Sequence, residues 1–238
     1  MFYFDINYLL CVALPSIILM GLASWYVRSS FSKWSQIRAS SGLTGTQAAQ
    51  RLISTGNLYG VQVQGTSGQL SDHYDPRDKT LYLSSNVANS PSVASVAVAA
   101  HELGHAMQDA DEYFPMKVRS FLVPMVNIGS NLGWILIMVG LVLFRASNLG
   151  ISIAWLGVLF FAGGALFALA TLPVELNASA RAKELLSQTG IIQTDEERRG
   201  VNQVLNAAAL TYVAGLLTAV MQLLYYVFLV GGMGRRRG

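Results

Sequence analysis

The run from Val93 to Gln108 reads VASVAVAAHELGHAMQ. Its composition favours a helix, and on a helix residues four apart share a face, so His101 and His105 can hold one metal ion between them. Glu102 lies beside that face, within reach of a water on the metal. This is the zinc-hydrolase arrangement, in which three protein ligands leave one position open for water. Such a water attacks a carbonyl after giving its proton to a carboxylate, here Glu102, which later passes it to the leaving amine. One catalytic Zn2+ is the expected cofactor.

The third ligand must come from elsewhere in the chain. His73, Asp72, Asp75, Asp109, Asp111 and Glu175 are the candidates. Asp109 and Asp111 lie on the metal helix or at its end, too close in sequence to fold back easily. Glu175 stands in the first turn of a predicted helix, where an acid also suits the helix dipole. Position alone does not choose among them. The tetrahedral oxyanion needs a donor besides the metal, and His73, Arg181 and Tyr212 are the candidates. An extended substrate can pair with an exposed strand edge. The best candidate for that edge is Thr80-Leu81-Tyr82-Leu83.

These residues sit in an apolar chain. Of 238 residues, 53% are hydrophobic and 12% charged, against about 25% charged in soluble domains. Mean hydropathy is +0.43. The expected class is mainly α: an integral membrane protein with about four transmembrane helices and a small α+β zincin-like catalytic region at one membrane face. A net charge of +3 gives no nucleic-acid signature, and the bilayer accounts for the basic balance. With one cysteine, Cys11, no internal disulfide can form.

Residues 6–27 are long enough to span a bilayer, which takes about 20 residues. The stretch lacks the basic flank of a signal peptide. Residues 28–120 form the expected catalytic region. Within it Thr44 caps a short helix to Ile53, Val61–Gln64 and Thr80–Leu83 alternate as strands, and Leu70–Lys79 reads as a polar loop. Ser90 is the expected cap of the metal helix, with Pro91 at its first position. Residues 121–144 and 151–172 are two further spans, a helical hairpin in which Gly163 and Gly164 allow close packing. Pro124, Asn127, Ser130 and Asn131 in the first of these are expected to face other helices or the site. Residues 173–209 carry the Glu175 helix, with Pro173 at its start and Gly190 at its end. Thr194, followed by Asp195, Glu196 and Glu197, opens the helix that leads into the span 210–230. With four spans, 28–120 and 173–209 share one side of the membrane, so the two helices can meet.

His101-Glu102-Leu103-Gly104-His105, followed by Glu175-Leu176-Asn177-Ala178-Ser179, resembles the gluzincin membrane proteases, a group that includes the HtpX and CAAX prenyl proteases. That resemblance implies Glu175 as the third zinc ligand, from a Glu-x-x-x-Asp helix motif. Ser179 stands where the Asp is usual, and Asn177 or Ser179 is the candidate to replace its support of a ligand. Leu70–Ser84, Ser92–Gln108, Thr171–Ala182 and Val204–Ala214 further resemble the YugP-like family of neutral zinc metallopeptidases, over essentially the whole chain. The family implies a bacterial membrane protein with a zinc-peptidase site.

Lys and Arg divide twelve to four in favour of the active-site side (28, 33, 38, 51, 77, 79, 117, 119, 181, 183, 198, 199 against 145, 235, 236, 237). This places the site on the cytoplasmic face of a bacterial membrane. The Arg235–Arg237 cluster runs against that count. The expected partners are a peptide or protein substrate, including a membrane protein, and the lipid bilayer, with room for an oligomer or a regulatory membrane partner. Two other classes compete with a membrane zinc endopeptidase. A catalytically silent zinc-binding scaffold is disfavoured by intact Glu102. A transporter is disfavoured by the scarcity of intramembrane charge.

Overall fold

A computed structural model describes residues 6–144, 147 and 149–235. Its elements are helices α1 (Ile6–Ser35, with a π turn at Leu9–Ala13) and α2 (Gly45–Thr55), and strands β1 (Gln62–Thr66), β2 (His73–Asp75) and β3 (Thr80–Ser84). Helices α3 (Ser85–Ala88), α4 (Val93–Ala110), α5 (Phe114–Leu143), α6 (Leu149–Gln188) and α7 (Asp195–Arg235) follow. The chain is mainly helical. Among the described residues, α1, α5, α6 and α7 are long and apolar enough to cross a membrane. Arg145, Arg236 and Arg237 of the topology count lie outside the described residues.

The chain divides into two compact units. One comprises Met1–Leu22, Lys117–Leu172 and Tyr212–Gly238. Its small core gathers Ile137, Ala154, Val158, Tyr226 and Val230. Here α5 and α6 approach closely through glycines other than those expected. A Cβ on Gly157 would come within 2.6 Å of the Gly133 carbonyl oxygen, and Gly140 abuts Ala154. Gly163 and Gly164 have no neighbouring element within 4 Å of a Cβ, so they do not make the crossing. Asn127 and Asn131 are exposed rather than turned toward other helices.

The other unit comprises Ala23–Met116 and Pro173–Thr211. Its core is built around α4, whose Val93, Ala94, Val96, Ala97, Ala99, Ala100 and Leu103 are all fully buried. Helix α4 is therefore hydrophobic nearly all round, as a central helix must be. Helix α2 starts with a reciprocal capping box: Thr44 Oγ1 accepts from Gln47 N–H, and Gln47 Oε1 accepts from Thr44 N–H. At the other flank Trp34 packs on Gly200, where a Cβ would meet its ring at 2.5 Å. The indole N–H donates to Gln203.

The structure corrects four local expectations. The sheet order is β1-β3-β2, with β1 parallel and β2 antiparallel to β3. Leu81, Tyr82 and Leu83 thus lie on the central strand, where Leu81 and Tyr82 are paired on both sides and Leu83 with β1, so β3 is not an edge strand. Full burial of Leu81 and Leu83 fits that place. Second, His73–Asp75 is strand β2 inside the expected loop. Third, the cap of α4 is Ser92, not Ser90: Ser92 Oγ accepts from Ser95 N–H. The Pro91 carbonyl instead accepts from Ala39 N–H, and Ser92 bridges to Arg38, which holds Pro91 outside the helix. Fourth, α6 runs unbroken through Pro173. The expected boundary there is absent: the proline's fixed φ is compatible with a helix, and α6 continues despite the lost N–H and the crowding of the preceding turn.

Candidate metal centre

The site is assembled from α4 and from the part of α6 that follows Leu172. His101 and His105 lie one turn apart on α4, their rings 4.9 Å apart and edge to face. Gly104 between them lies against Ala178, where a Cβ would stand 2.9 Å from the carbonyl carbon. The missing side chain lets the two helices close until Glu175 reaches both imidazoles. Glu175 Oε2 is 3.3 Å from His101 Nε2 and 3.5 Å from His105 Nε2. All three side chains are buried.

These donors fit a metal ion. One ligand atom from each of the three lies within 4.8 Å of the others, and they form the group of this kind found among the described residues. Ligands about 2.0–2.1 Å from a tetrahedral zinc stand about 3.3–3.4 Å from one another, close to the spacings seen. Two imidazoles and a carboxylate are a zinc-type donor set. Each imidazole is also held from behind. Ser179 Oγ lies 3.1 Å from His101 Nδ1, and Gln108 Oε1 lies 3.0 Å from His105 Nδ1. Such outer partners orient a metal-binding histidine and select its tautomer.

Glu102 is partly buried next to this group. Burial pushes its carboxyl above the usual range against the pull of His101 and His105, and the nearby charges of Glu175 and Asp72 add to the rise. For His105, burial opposes the charged form, but the hydrogen bond to Glu175 and the charge of Glu102 outweigh it and push the imidazole up. A proton and a metal ion compete for the same nitrogen, so a metal ion bound here would release protons.

The other sequence candidates are engaged elsewhere. Asp72 accepts from Ser84 N–H and Oγ–H. His73 is exposed, bonded to the Ser71 carbonyl and stacked on Tyr82. Asp75 pairs with Arg77, and Asp109 accepts from Tyr74. Arg181 gives its guanidinium to Asn177 and Asp111. Tyr212 lies on α7 at the start of the other unit's third segment. Asn177 accepts from Gln108 and from Arg181. Gln108 is the residue that sequence reasoning passed over. The only local signal is its spacing, three residues after His105 on the same helix.

Residues 9–231 match the profile of a family described as "Putative neutral zinc metallopeptidase". The chain belongs to this family. It is also similar to the "Putative membrane protease YugP" of Bacillus subtilis (strain 168), 40% identical over 217 residues that cover 90% of this chain and 94% of that protein. No solved structure matches. The zinc of the family's description is the ion that the His101, His105 and Glu175 donor set suits. The resemblance read from Leu70–Ser84, Ser92–Gln108, Thr171–Ala182 and Val204–Ala214 falls wholly within the matched span.

Proposed function

We propose that the chain is a membrane-bound zinc endopeptidase. The observation that carries this reading is the convergence of His101 Nε2 and His105 Nε2 on the Glu175 carboxylate, with Glu102 on the adjoining position of α4. His101, His105 and Glu175 would hold the ion. Zinc bound there supplies a Lewis acid, which acidifies water and polarises a scissile carbonyl. Glu102 is the general base: it takes the proton of the attacking water and delivers it to the leaving nitrogen. Its partly buried position favours that work, because burial moves a carboxylate's affinity for protons toward neutrality.

Substrate pairing belongs to an outer edge of the sheet, on β1 or β2, since β3 is paired on both sides. The excess of Lys and Arg in 28–119 and 181–199 supports a cytoplasmic site. Cysteines placed singly at exposed Ser67 and Asn89 in a Cys11→Ala background test that side. Labelling from outside intact cells by an impermeant maleimide would contradict it.

Purified protein in detergent should contain close to one zinc per chain and cleave an unfolded protein substrate. Glu102→Gln should keep the zinc and lose cleavage. Wild-type protein that holds zinc without cleaving any substrate offered would favour the silent scaffold instead.

A further inference from the structure

We infer that Gln108 is a positioning residue, the inner end of a hydrogen-bonded chain whose direction fixes which nitrogen of His105 is free to bind metal. The inference rests on the zinc reading of the site. It follows from the outermost member inward.

Arg181 carries only donors. Its Nε donates across 2.8 Å to Asn177, so the Asn177 atom facing it is the carbonyl oxygen. A second guanidinium nitrogen pairs with the Asp111 carboxylate, which holds the arginine in place. The same Asn177 oxygen faces the Gln108 amide at 2.9 Å, and the Val174 backbone carbonyl faces it at 2.8 Å. Both are acceptors only in this setting, so the Gln108 atom between them is the NH2 group. The opposite end of that amide, its oxygen, therefore points at His105 Nδ1. A carbonyl oxygen cannot donate, so Nδ1 must carry the hydrogen. Neutral His105 then has its lone pair on Nε2, the nitrogen that faces Glu175. No link can be turned round without setting donor against donor or acceptor against acceptor, and the two inner links are buried, where an unmade hydrogen bond is costly.

The chain also spans the two helices that carry ligands. Gln108 is fully buried on α4, and both of its donated bonds end on α6, at the residue before Glu175 and the residue two after it. It sets the imidazole's tautomer and the separation of His105 from Glu175 together. Arg181 is the outer anchor of this device.

The test uses the full-length protein in detergent micelles, stripped of metal, with 15N-labelled histidine. There are three histidines in the chain, so two-bond 15N–1H spectra resolve each ring. Wild-type His105 is expected as the Nδ1–H tautomer. Gln108→Leu should give a mixture containing Nε2–H and weaken zinc binding about 10- to 100-fold. Arg181→Met, a change at the outer end, should shift both readouts in the same direction by less. An Nε2–H tautomer in the wild type overturns the inference whether or not any variant folds. So does Gln108→Leu with the wild-type tautomer and zinc affinity within twofold. Wild-type protein that shows Nδ1–H yet takes up no zinc overturns the metal reading instead and leaves the hydrogen-bonded chain standing.

Discussion

Gly104 packs directly on the backbone of Ala178. That contact sets how near α4 comes to the helix bearing Glu175. A methyl group at 104 has nowhere to go, and overpacking of this kind costs about 1–3 kcal/mol. Gly104→Ala should therefore melt at a lower temperature and bind zinc more weakly than wild type, because separating the helices moves Glu175 from the histidines. Thermal unfolding and metal analysis of the purified variant check both effects. Unchanged zinc content would mean that the approach at Ala178 does not set the site.

Glu175 and Glu102 should separate cleanly by experiment. Glu175→Ala removes a ligand, so zinc content after dialysis should fall well below that of wild type. Glu102→Gln should retain zinc while cleavage drops about 10²- to 10⁴-fold. Metal analysis beside a peptide-cleavage assay reads the two outcomes. Full zinc in Glu175→Ala would remove it from the ligand set.

The Ser179 hydroxyl meets His101 Nδ1. Ser179→Ala should lower zinc affinity about 10- to 100-fold. Ser179→Asp offers the imidazole a charged acceptor and should bind zinc at least as tightly as wild type. Competition with a fluorescent chelator measures both. Equal affinities for the alanine variant and wild type would make the serine contact incidental.

Glu197 supplies a pH signature away from the metal. It sits in the first turn of α7, ahead of the apolar half, and accepts from the N–H groups of Ser40, Gln193 and Thr194. Burial alone would raise its pKa, but those donors outweigh it and hold the carboxyl at about 2. The folded value lies below the unfolded one, about 4.3. Its contribution is therefore complete above the unfolded pKa and disappears as pH falls toward 2. Melting temperatures of wild type and Glu197→Gln should differ most at neutral pH and converge in acid. A gap that stays constant from pH 7 to pH 3 would contradict the assignment.

What the sequence revealed was local. The spacing of His101 and His105, the Thr44 cap, the Thr194 helix start and the four apolar stretches are written in neighbouring residues, and the structure has these elements. What it hid was non-local. Nothing near Thr80–Leu83 announces that β1 returns in parallel on one side while β2 pairs on the other, so the stretch alone reads as an edge. Gly163-Gly164 reads as a packing site because the pair is conspicuous, whereas the crossing falls at Gly133 and Gly157, set by the register of two helices. Pro173 reads as a helix start because sequence does not tell a tolerated proline from a boundary. Gln108 gave least away: its donated bonds end 66 and 69 residues later, on atoms that no pattern around it foretells.

The site's composition from distant segments also fixes when it can come into being. A ribosome has made His101, Glu102 and His105 well before Glu175, which lies 74 residues beyond His101, and before Ser179, at 78. Until then the nascent chain has the two imidazoles and no Glu175 carboxylate to meet them. The donor group of His101, His105 and Glu175 is complete only once the segment Pro173–Thr211 has been made and has packed with α4 in the same unit.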